Sequence, residues 1–437
     1  MLTAFSRRRP LIIAAVLIVS ACAGKPPAEA VDLPQTVVYA SQDLPEQIGL
    51  ARLLTYAGQH HPDILAADAR VERASAAVST AASWADPNLG VSVGLDNSDW
   101  KTLSLEQEIP SFGRRSLSIE QARAALDNAR AKRWQVQAEV ALRVTQAYAE
   151  YAYILADQAV QQQGHDLLQQ MADITRSRYE TGQARLDEWL QAQNHRDQSH
   201  SDLAVLGRLQ TAAGTRLNAA LGRSRAAKLP QLPDFDEALA HMPEIGLDED
   251  ALHNLMAEQN PKLEASRHQL DSLAAGKRLS ERNGLPRFML GVQYMDMGGM
   301  NSGTTSAMAS MTLPIWRSSY RAAEDAADAD YRAATAQQHS LKLDLQAQLA
   351  MAVYRQQQAD ENSKLYGQVL LPRAQQAMAS VLENYRHGDK SFSDVLASQQ
   401  EWLNFSLNYQ RSLADLLLSR AEILLLVHGK IEVSDED

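Results

Sequence analysis

Two hydrophobic periods alternate along this chain. After Pro87, the apolar Leu89, Val91, Val93 and Leu95 take turns with Gly90, Ser92, Gly94 and Asp96, which is the two-residue period of a strand with one apolar and one polar face. "DNSDWK" supplies a turn, and Leu103, Leu105 and Ile109 then alternate with Thr102, Ser104, Glu106 and Glu108. The pattern returns further on, where Phe288, Leu290, Val292 and Tyr294 alternate with Met289, Gly291, Gln293 and Met295. A long polar turn, "MGGMNSGTTS", leads to a weaker strand ending at Pro314. The chain therefore predicts two hairpins, at about 87–110 and about 286–314, with about ten residues per strand, a length that suits a transmembrane barrel. Elsewhere the apolar and alanine positions recur at three- and four-residue steps. No proline falls between Pro110 and Pro230, and a helix running to Tyr179 would hold about 65 residues and measure roughly 100 Å. Its counterpart runs from Ser318 to Tyr385, and Pro372 and Gly164 mark the places where the two helices should bend or break. Turns at Gly182 and Gly388 send the chain back along second helices, making alanine-rich helical hairpins of coiled-coil type.

The two halves follow one plan. "HHPDILAADARVERASAA" from His60 is echoed by "QNPKLEASRHQLDSLAA" from Gln259, with Pro62 answering Pro261. Pro87 answers Pro286 ahead of the first strands, "PSFGRRSLSIEQARAA" answers "PIWRSSYRAAEDAA", and "RYETGQARLDEWLQAQN" answers "NYRHGDKSFSDVLASQQ". Four landmarks in order, at an offset drifting only from about 199 to 206, indicate a duplication. The repeats are expected at 46–240 and 241–430.

The amino terminus carries a different message. Arg7 to Arg9 precede an apolar run from Leu11 to Val19, about ten residues where a membrane-spanning helix needs roughly twenty. Residues 1–21 therefore read as a cleaved secretory signal. Cys22 is the only cysteine, so it has no partner for an intrachain disulfide. Val19-Ser20-Ala21-Cys22 resembles the lipobox of bacterial lipoproteins, which implies that Cys22 is the lipidation site. Each buried methylene of an acyl chain contributes roughly 0.8 kcal/mol to such an anchor. Ala23 is not the aspartate that retains lipoproteins in the inner membrane, which points to the outer one. Residues 22–45 read as a tether and 431–437 as an acidic tail. A formal charge of −11 speaks against a nucleic-acid partner. Mean hydropathy is negative, as expected for helices with narrow apolar seams. Beyond the leader no segment is long and apolar enough to cross a bilayer as a helix, so any crossing must be made by strands.

Four strands cannot close a barrel, and an open sheet edge in lipid is very costly, so the chain must oligomerise. Three copies would supply twelve strands. The duplicated helix–hairpin–helix plan, the Pro-bounded strands, the Tyr-x-x-Gly turns and the lipobox together resemble the TolC-like outer-membrane factors of tripartite efflux pumps and type I secretion. That resemblance covers almost the whole mature chain. It implies a mainly α fold with a small β part: long helical hairpins forming a periplasmic α-barrel, and four strands per chain in a 12-stranded trimeric transmembrane β-barrel. It further implies a homotrimer with a periplasmic adaptor and an inner-membrane pump as partners, outer-membrane lipid around it, no cofactor and no catalysis.

The resemblance also nominates residues. Tyr179, Gly182, Tyr385 and Gly388 mark adaptor-facing tips. Where the family carries an Asp-Val-Leu-Asp stretch beyond the second turn, this chain reads "SDVLAS", so Asp394 keeps the first acidic position and Ala397 replaces the second. Three Asp394 carboxylates in a trimer would favour cations at a periplasmic aperture, unless Asp394 simply caps its helix. Glu188 is the first repeat's equivalent. "PSFGRR" resembles the Pro-x-x-Gly-Lys-Arg corner of the heavy-metal branch typified by CzcC, which points to an RND-type pump. Six of twelve methionines, Met289, Met295, Met297, Met300, Met308 and Met311, fall in the second hairpin. Thioethers suit soft cations, and Met295, Met297 and Met300 are the positions to watch, although lipid-facing and loop packing is the stronger explanation of methionine there. His60, His61, His195 and His200 have no metal-site spacing. A nucleophile elbow, a paired metal ligand set and a phosphate loop are all missing from the sequence, which argues against an enzyme. A multidrug or polypeptide exit duct and a lipid-anchored coiled-coil scaffold without a pore are the competing readings.

Overall fold

The computed structural model describes residues 44–431, apart from 46, 95–99, 111, 233–234, 241, 244, 246–247 and 298–302. The leader, Cys22, nearly all of the tether, the tail beyond Ile431, Met300 and the two hairpin tips lie outside the described residues. Within the described part, α1 (Leu50–His60) and α2 (Pro62–Ala82) lead into β1 (Asn88–Val93) and β2 (Trp100–Ile109). Next come α3 (Arg114–Glu180), α4 (Leu186–Ala220) and the short α5 (Phe235–Ala240). The second half repeats the order with α6 (Glu249–Gln259), α7 (Pro261–Asn283), β3 (Arg287–Met297), β4 (Thr304–Thr312), α8 (Arg317–Lys364), α9 (Leu371–His387) and α10 (Phe392–His428). Among the described residues no helix is long and apolar enough to cross a membrane.

The helices form a wall of four columns. α3 spans one column alone, flanked on one side by α2 and α4 and on the other by α7 and α10. α8 and α9 make the far column, packed on α7 and α10. Two columns are thus assembled from two helices meeting end to end, and the joints are duplicated. His61 accepts from the Asp63 amide at the start of α2, while Asn260 accepts from the Lys262 and Leu263 amides at the start of α7. Pro62 and Pro261 follow, each at a first-turn position where a missing N–H is harmless. Against each proline ring sits the glycine ending the other helix, Gly222 at φ +74° and Gly429 at φ +66°. A Cβ on Gly222 would stand 2.7 Å from Pro62 Cδ, and one on Gly429 2.8 Å from Pro261 Cδ. Asn260 also donates 2.8 Å to the Leu426 carbonyl, tying the second joint to the last turn of α10.

The core gathers at the level of these joints. Leu53, Ile64, Val144, Tyr148, Leu217 and Leu417 are fully buried together in one cluster, and Leu252, Met256, Leu345, Leu349 and Ile423 form its counterpart in the second repeat.

Of the two expected breaks, one needs correction and the other is present. α3 continues through Gly164 for 67 residues without interruption. The glycine serves close packing instead, because a Cβ there would stand 3.2 Å from the Gln399 amide. The second repeat does deviate, through a π-helical turn at Leu365–Leu370 just ahead of Pro372. Proline removes a helical donor, and the wider turn absorbs that loss. Gly367 in the turn lies against Tyr409, a Cβ there being 2.5 Å from the ring.

Candidate channel wall, tip and gate residues

The four strands form one antiparallel sheet in the order β1-β2-β3-β4. Register places Leu89 opposite Leu105 and Val91 opposite Leu103, then Leu103 opposite Tyr294 and Leu105 opposite Val292. Leu290 and Phe288 continue that face, opposite Ala309 and Met311. All of these except alanine are large, apolar and exposed. The other face holds Asn88, Gly90, Ser92, Thr102, Ser104, Glu106, Gln293 and Ser306. Met289, Met295 and Met308 share this polar face, paired with Glu108, Thr102 and Gly291 respectively. The methionines of the second hairpin are therefore divided: these three line the polar side, and Met311 lies on the apolar one. Among the described residues, β1 and β4 each leave one edge without a partner strand.

The helical wall is equally unfinished at its sides. α4 exposes Leu186, Leu190, Val205 and Leu209, and α8 with its π turn exposes Leu343, Met351, Tyr354 and Leu365. Each set recurs at helical spacing along the outer columns, the faces turned away from α3 and from α10 respectively.

Where strands give way to helices, arginines clasp the neighbouring columns. Arg115 Nε donates 2.9 Å to the Ala82 carbonyl at the end of α2, and Arg114 Nε donates 3.0 Å to Arg282 at the end of α7, with a further bond to Leu285. Arg317, which starts α8, donates 3.0 Å to Gly284. A guanidinium at a helix C-terminus satisfies orphan carbonyls and the helix dipole. The "PSFGRR" corner and its glycine-free counterpart "PIWRSS" thus do the same structural task.

At the opposite end the two hairpins meet around Tyr385. Met171, Ala172, Ala192, Phe392 and Val395 surround it in a small core. Its side chain is 0% exposed, and its hydroxyl lies 2.8 Å from Thr175 Oγ1. Arg178 donates 2.7 Å to the Tyr385 carbonyl and lies over its ring at 4.7 Å. At this tip turn the Tyr385 side chain points inward and ties α9 to α3. Tyr179 is exposed and stacks on Trp189 at 5.3 Å. Gly182 and Gly388 adopt the left-handed conformation at φ +74° and +90°, as the turns require.

Asp394 and Ser391 form a capping box at the start of α10. Asp394 accepts from the Ser391 amide at 3.0 Å and from its hydroxyl at 2.9 Å, while Ser391 accepts from the Asp394 amide. These bonds hold the Asp394 carboxyl below its ordinary pKa, the backbone amide contributing most. The carboxylate is exposed and charged, and it is also committed to its own helix. Glu188 is half-buried in the first turn of α4, next to the Arg185–Asp187 pair at 2.9 Å. Among the described residues no cluster of three or more His, Cys, Asp or Glu side chains could hold a metal ion.

One feature of the wall had no signal in the hydrophobic pattern. Asp157 on α3 and Asp415 on α10 are half-buried, and burial raises both carboxyl pKa values. Arg411 pairs with Asp415 at 3.1 Å and with Glu150 at 3.3 Å, and it lies over the Tyr153 ring.

The chain thus combines a four-stranded antiparallel sheet of opposite-natured faces with a wall of long helices. This is the fold of TolC-like channels. The family model described as Outer membrane efflux protein matches residues 53–223 and 252–427. The chain belongs to the outer membrane efflux protein family, a family of channels and not of enzymes. No curated protein matches the chain significantly. Among solved structures it is similar to the outer membrane protein VceC of Vibrio cholerae, with a TM-score of 0.73 at 18% identity over 87% of this chain and 96% of that one. CusC, whose structures concern folding and transmembrane channel formation, gives 0.75 at 16% identity over 93% and 99%. The open-state MtrE outer membrane channel of Neisseria gonorrhoeae gives 0.67 at 18% identity over 85% and 88%.

Proposed function

We propose that three copies of this chain close into an outer-membrane exit duct of a tripartite efflux system. The observation that carries the reading is the paired incompleteness of sheet and wall. β1 and β4 offer free edges, the outer columns offer apolar stripes, and a head-to-tail ring of copies completes both at once. In that ring the face with Leu89, Val91, Leu290 and Val292 meets lipid, and the face with Ser104, Glu106 and Gln293 lines a twelve-stranded pore. The α-barrel below extends the duct through the periplasm to an adaptor and an RND-type inner-membrane pump. Tyr179, Gly182 and Gly388 form the tip offered to the adaptor, and Asp394 and Glu188 line the aperture. Cys22 carries the lipid anchor. The mass of the detergent-purified full chain tests the assembly: three protomers are expected, and a stable monomer would count against the duct.

For the substrate we infer a heavy-metal cation. The corner at Pro110 to Arg115 supports this by resemblance, and Met289, Met295 and Met308 support it by sharing the polar face, where thioethers could pass a soft cation onward. The clasping role of Arg114 and Arg115 weakens the first support, so the methionines bear most of the weight. Loss of metal resistance in cells carrying the Met289→Leu, Met295→Leu, Met308→Leu triple variant, with drug resistance intact, is the expected result. The reverse pattern would favour a multidrug duct.

A further inference from the structure

The two column joints share a plan and differ in the chemistry of one residue. Each begins with a capping side chain buried against the end of another helix, His61 at 6% exposure and Asn260 at 3%. Asn260 carries an amide, whose donors and acceptor are the same at any pH. His61 carries an imidazole. Its Nδ1 accepts from the Asp63 amide at 3.1 Å, so that nitrogen holds no proton and the ring is neutral with its hydrogen on Nε2. Adding a proton turns this acceptor into a donor, and the cap of α2 is lost.

The surroundings of His61 decide how its proton is held. On the α4 side, a Cβ built on Gly222 would stand 3.2 Å from His61 Cα and 3.4 Å from its Cδ2, so the ring is packed against the end of that helix. On the α1 side, the His61 amide donates 2.9 Å to the Ala57 carbonyl. The neighbouring His60 turns away, bonded to the Tyr56 carbonyl and stacked on the Tyr56 ring. Three charged groups lie close by. Asp63 of α2 is 3.8 Å from Nδ1, Arg143 of α3 pairs with Asp63, and the buried Arg223 directly follows Gly222. Arg143 and Arg70 both draw on the Asp63 charge. Burial is the largest influence on His61 and pushes its pKa down; Asp63 opposes it and Arg143 reinforces it. The closed joint therefore binds the proton less tightly than an opened one. Its stability is complete above the ordinary imidazole value of about 6.5 and is lost as pH falls below it.

We propose that His61 is an acid-sensitive latch, so that in mild acid the joint between α2 and α4 opens while the Asn260 joint between α7 and α10 stays closed. The two columns differ in position as well. α2 and α4 form the outer column that carries the exposed stripe from Leu186 to Leu209, whereas α7 and α10 lie inside the wall between α3 and α8. Acid thus loosens the edge of the wall and spares its middle. The inference uses the fold alone and stands whether or not copies of the chain close into a tube.

The two joints can be compared within one chain. Amide exchange of the full chain in detergent is followed by mass spectrometry at pH 7.5 and pH 5.5, with each rate corrected for the intrinsic pH dependence of exchange. Segments 57–66 and 217–224 report on the first joint, and segments 256–265 and 425–430 on the second. Protection at the first joint should fall about three- to tenfold, tenfold being the limit at this pH for a group of ordinary pKa about 6.5 that takes up its proton only when the joint opens. The second joint should hold its protection. His61→Asn gives the first joint the residue of the second and should remove the loss. Equal losses at both joints, or the same loss in His61→Asn, would overturn the latch. Exchange of the ring C–H of His61 reads its titration in the natural chain without any substitution: a midpoint below about 6.5 is expected, and one at or above that value would overturn the proposal as well.

Discussion

Replacing Gly222 or Gly429 by alanine tests the claim that each composite column is held by a glycine–proline joint. Two effects add at these positions. Alanine in the left-handed region costs about 1 kcal/mol, partly offset by about 0.5 kcal/mol from a less flexible unfolded chain. The new methyl group must also displace a proline ring, since its Cβ would stand 2.7 Å from Pro62 Cδ in one joint and 2.8 Å from Pro261 Cδ in the other, the second also 3.0 Å from Trp134. Overpacking of this kind costs about 1–3 kcal/mol. The net expectation is a loss of about 2–3 kcal/mol per protomer. Gly182 is the control, with the same φ of +74° and nothing within 4 Å of a built Cβ. Its alanine variant should lose only about 0.5 kcal/mol. The assay is the midpoint of helix unfolding by circular dichroism in detergent. If Gly222→Ala and Gly429→Ala unfold no earlier than Gly182→Ala, the joints do not hold the columns and the reasoning fails.

Other substitutions reach the remaining parts of the account. Val292→Lys places a charge on the lipid face and should cost about 2–4 kcal/mol if that residue lies near the bilayer midplane, whereas Gln293→Lys on the opposite face should insert normally and shift ion selectivity; equal insertion yields would contradict the face assignment. Tyr385→Phe removes the buried bond to Thr175, a loss of about 1 kcal/mol, and amide exchange at the end of α9 should quicken, an unchanged rate arguing against a tie between the hairpins. Asp157 has its pKa raised by burial, so the folded chain binds that proton more tightly than the unfolded one and stability falls as pH rises through the folded value. Asp157→Asn should therefore raise the unfolding temperature at neutral pH, with the gain vanishing in acid. Asp394 has the opposite sign: its lowered pKa gives stability at neutral pH that is lost as pH falls through the folded value, so Asp394→Asn should flatten the acid limb of the stability profile.

The strands were legible because each exposes one face, and a period of two survives in any single strand: Leu89, Val91 and Val93 announce themselves without a partner. The duplication was legible for a similar reason, as Pro62 and Pro261 punctuate two copies of one pattern. What those prolines pack against was not. Gly222 lies 160 positions after Pro62 and Gly429 lies 168 after Pro261, and a glycine following a helix looks the same whether it ends in water or against a ring. Gly164 misled for the opposite reason, since local propensity permits a break there and only the Gln399 and Trp402 side chains show that the helix gains by continuing. At the tip, a tyrosine beside a turn glycine reads as surface, and Tyr385 is buried because another hairpin covers it. The arginine clasps were hidden inside a motif, their acceptors being carbonyls that no sequence displays.

Single-channel recording in planar bilayers bears most directly on the central claim, that three of these chains enclose a pore. The full chain, verified as a trimer, should give small, discrete, cation-selective openings, larger or longer in the tip-loosened Arg178→Ala, Tyr385→Phe variant. A verified trimer that stays silent in both forms would contradict the duct and favour a lipid-anchored scaffold.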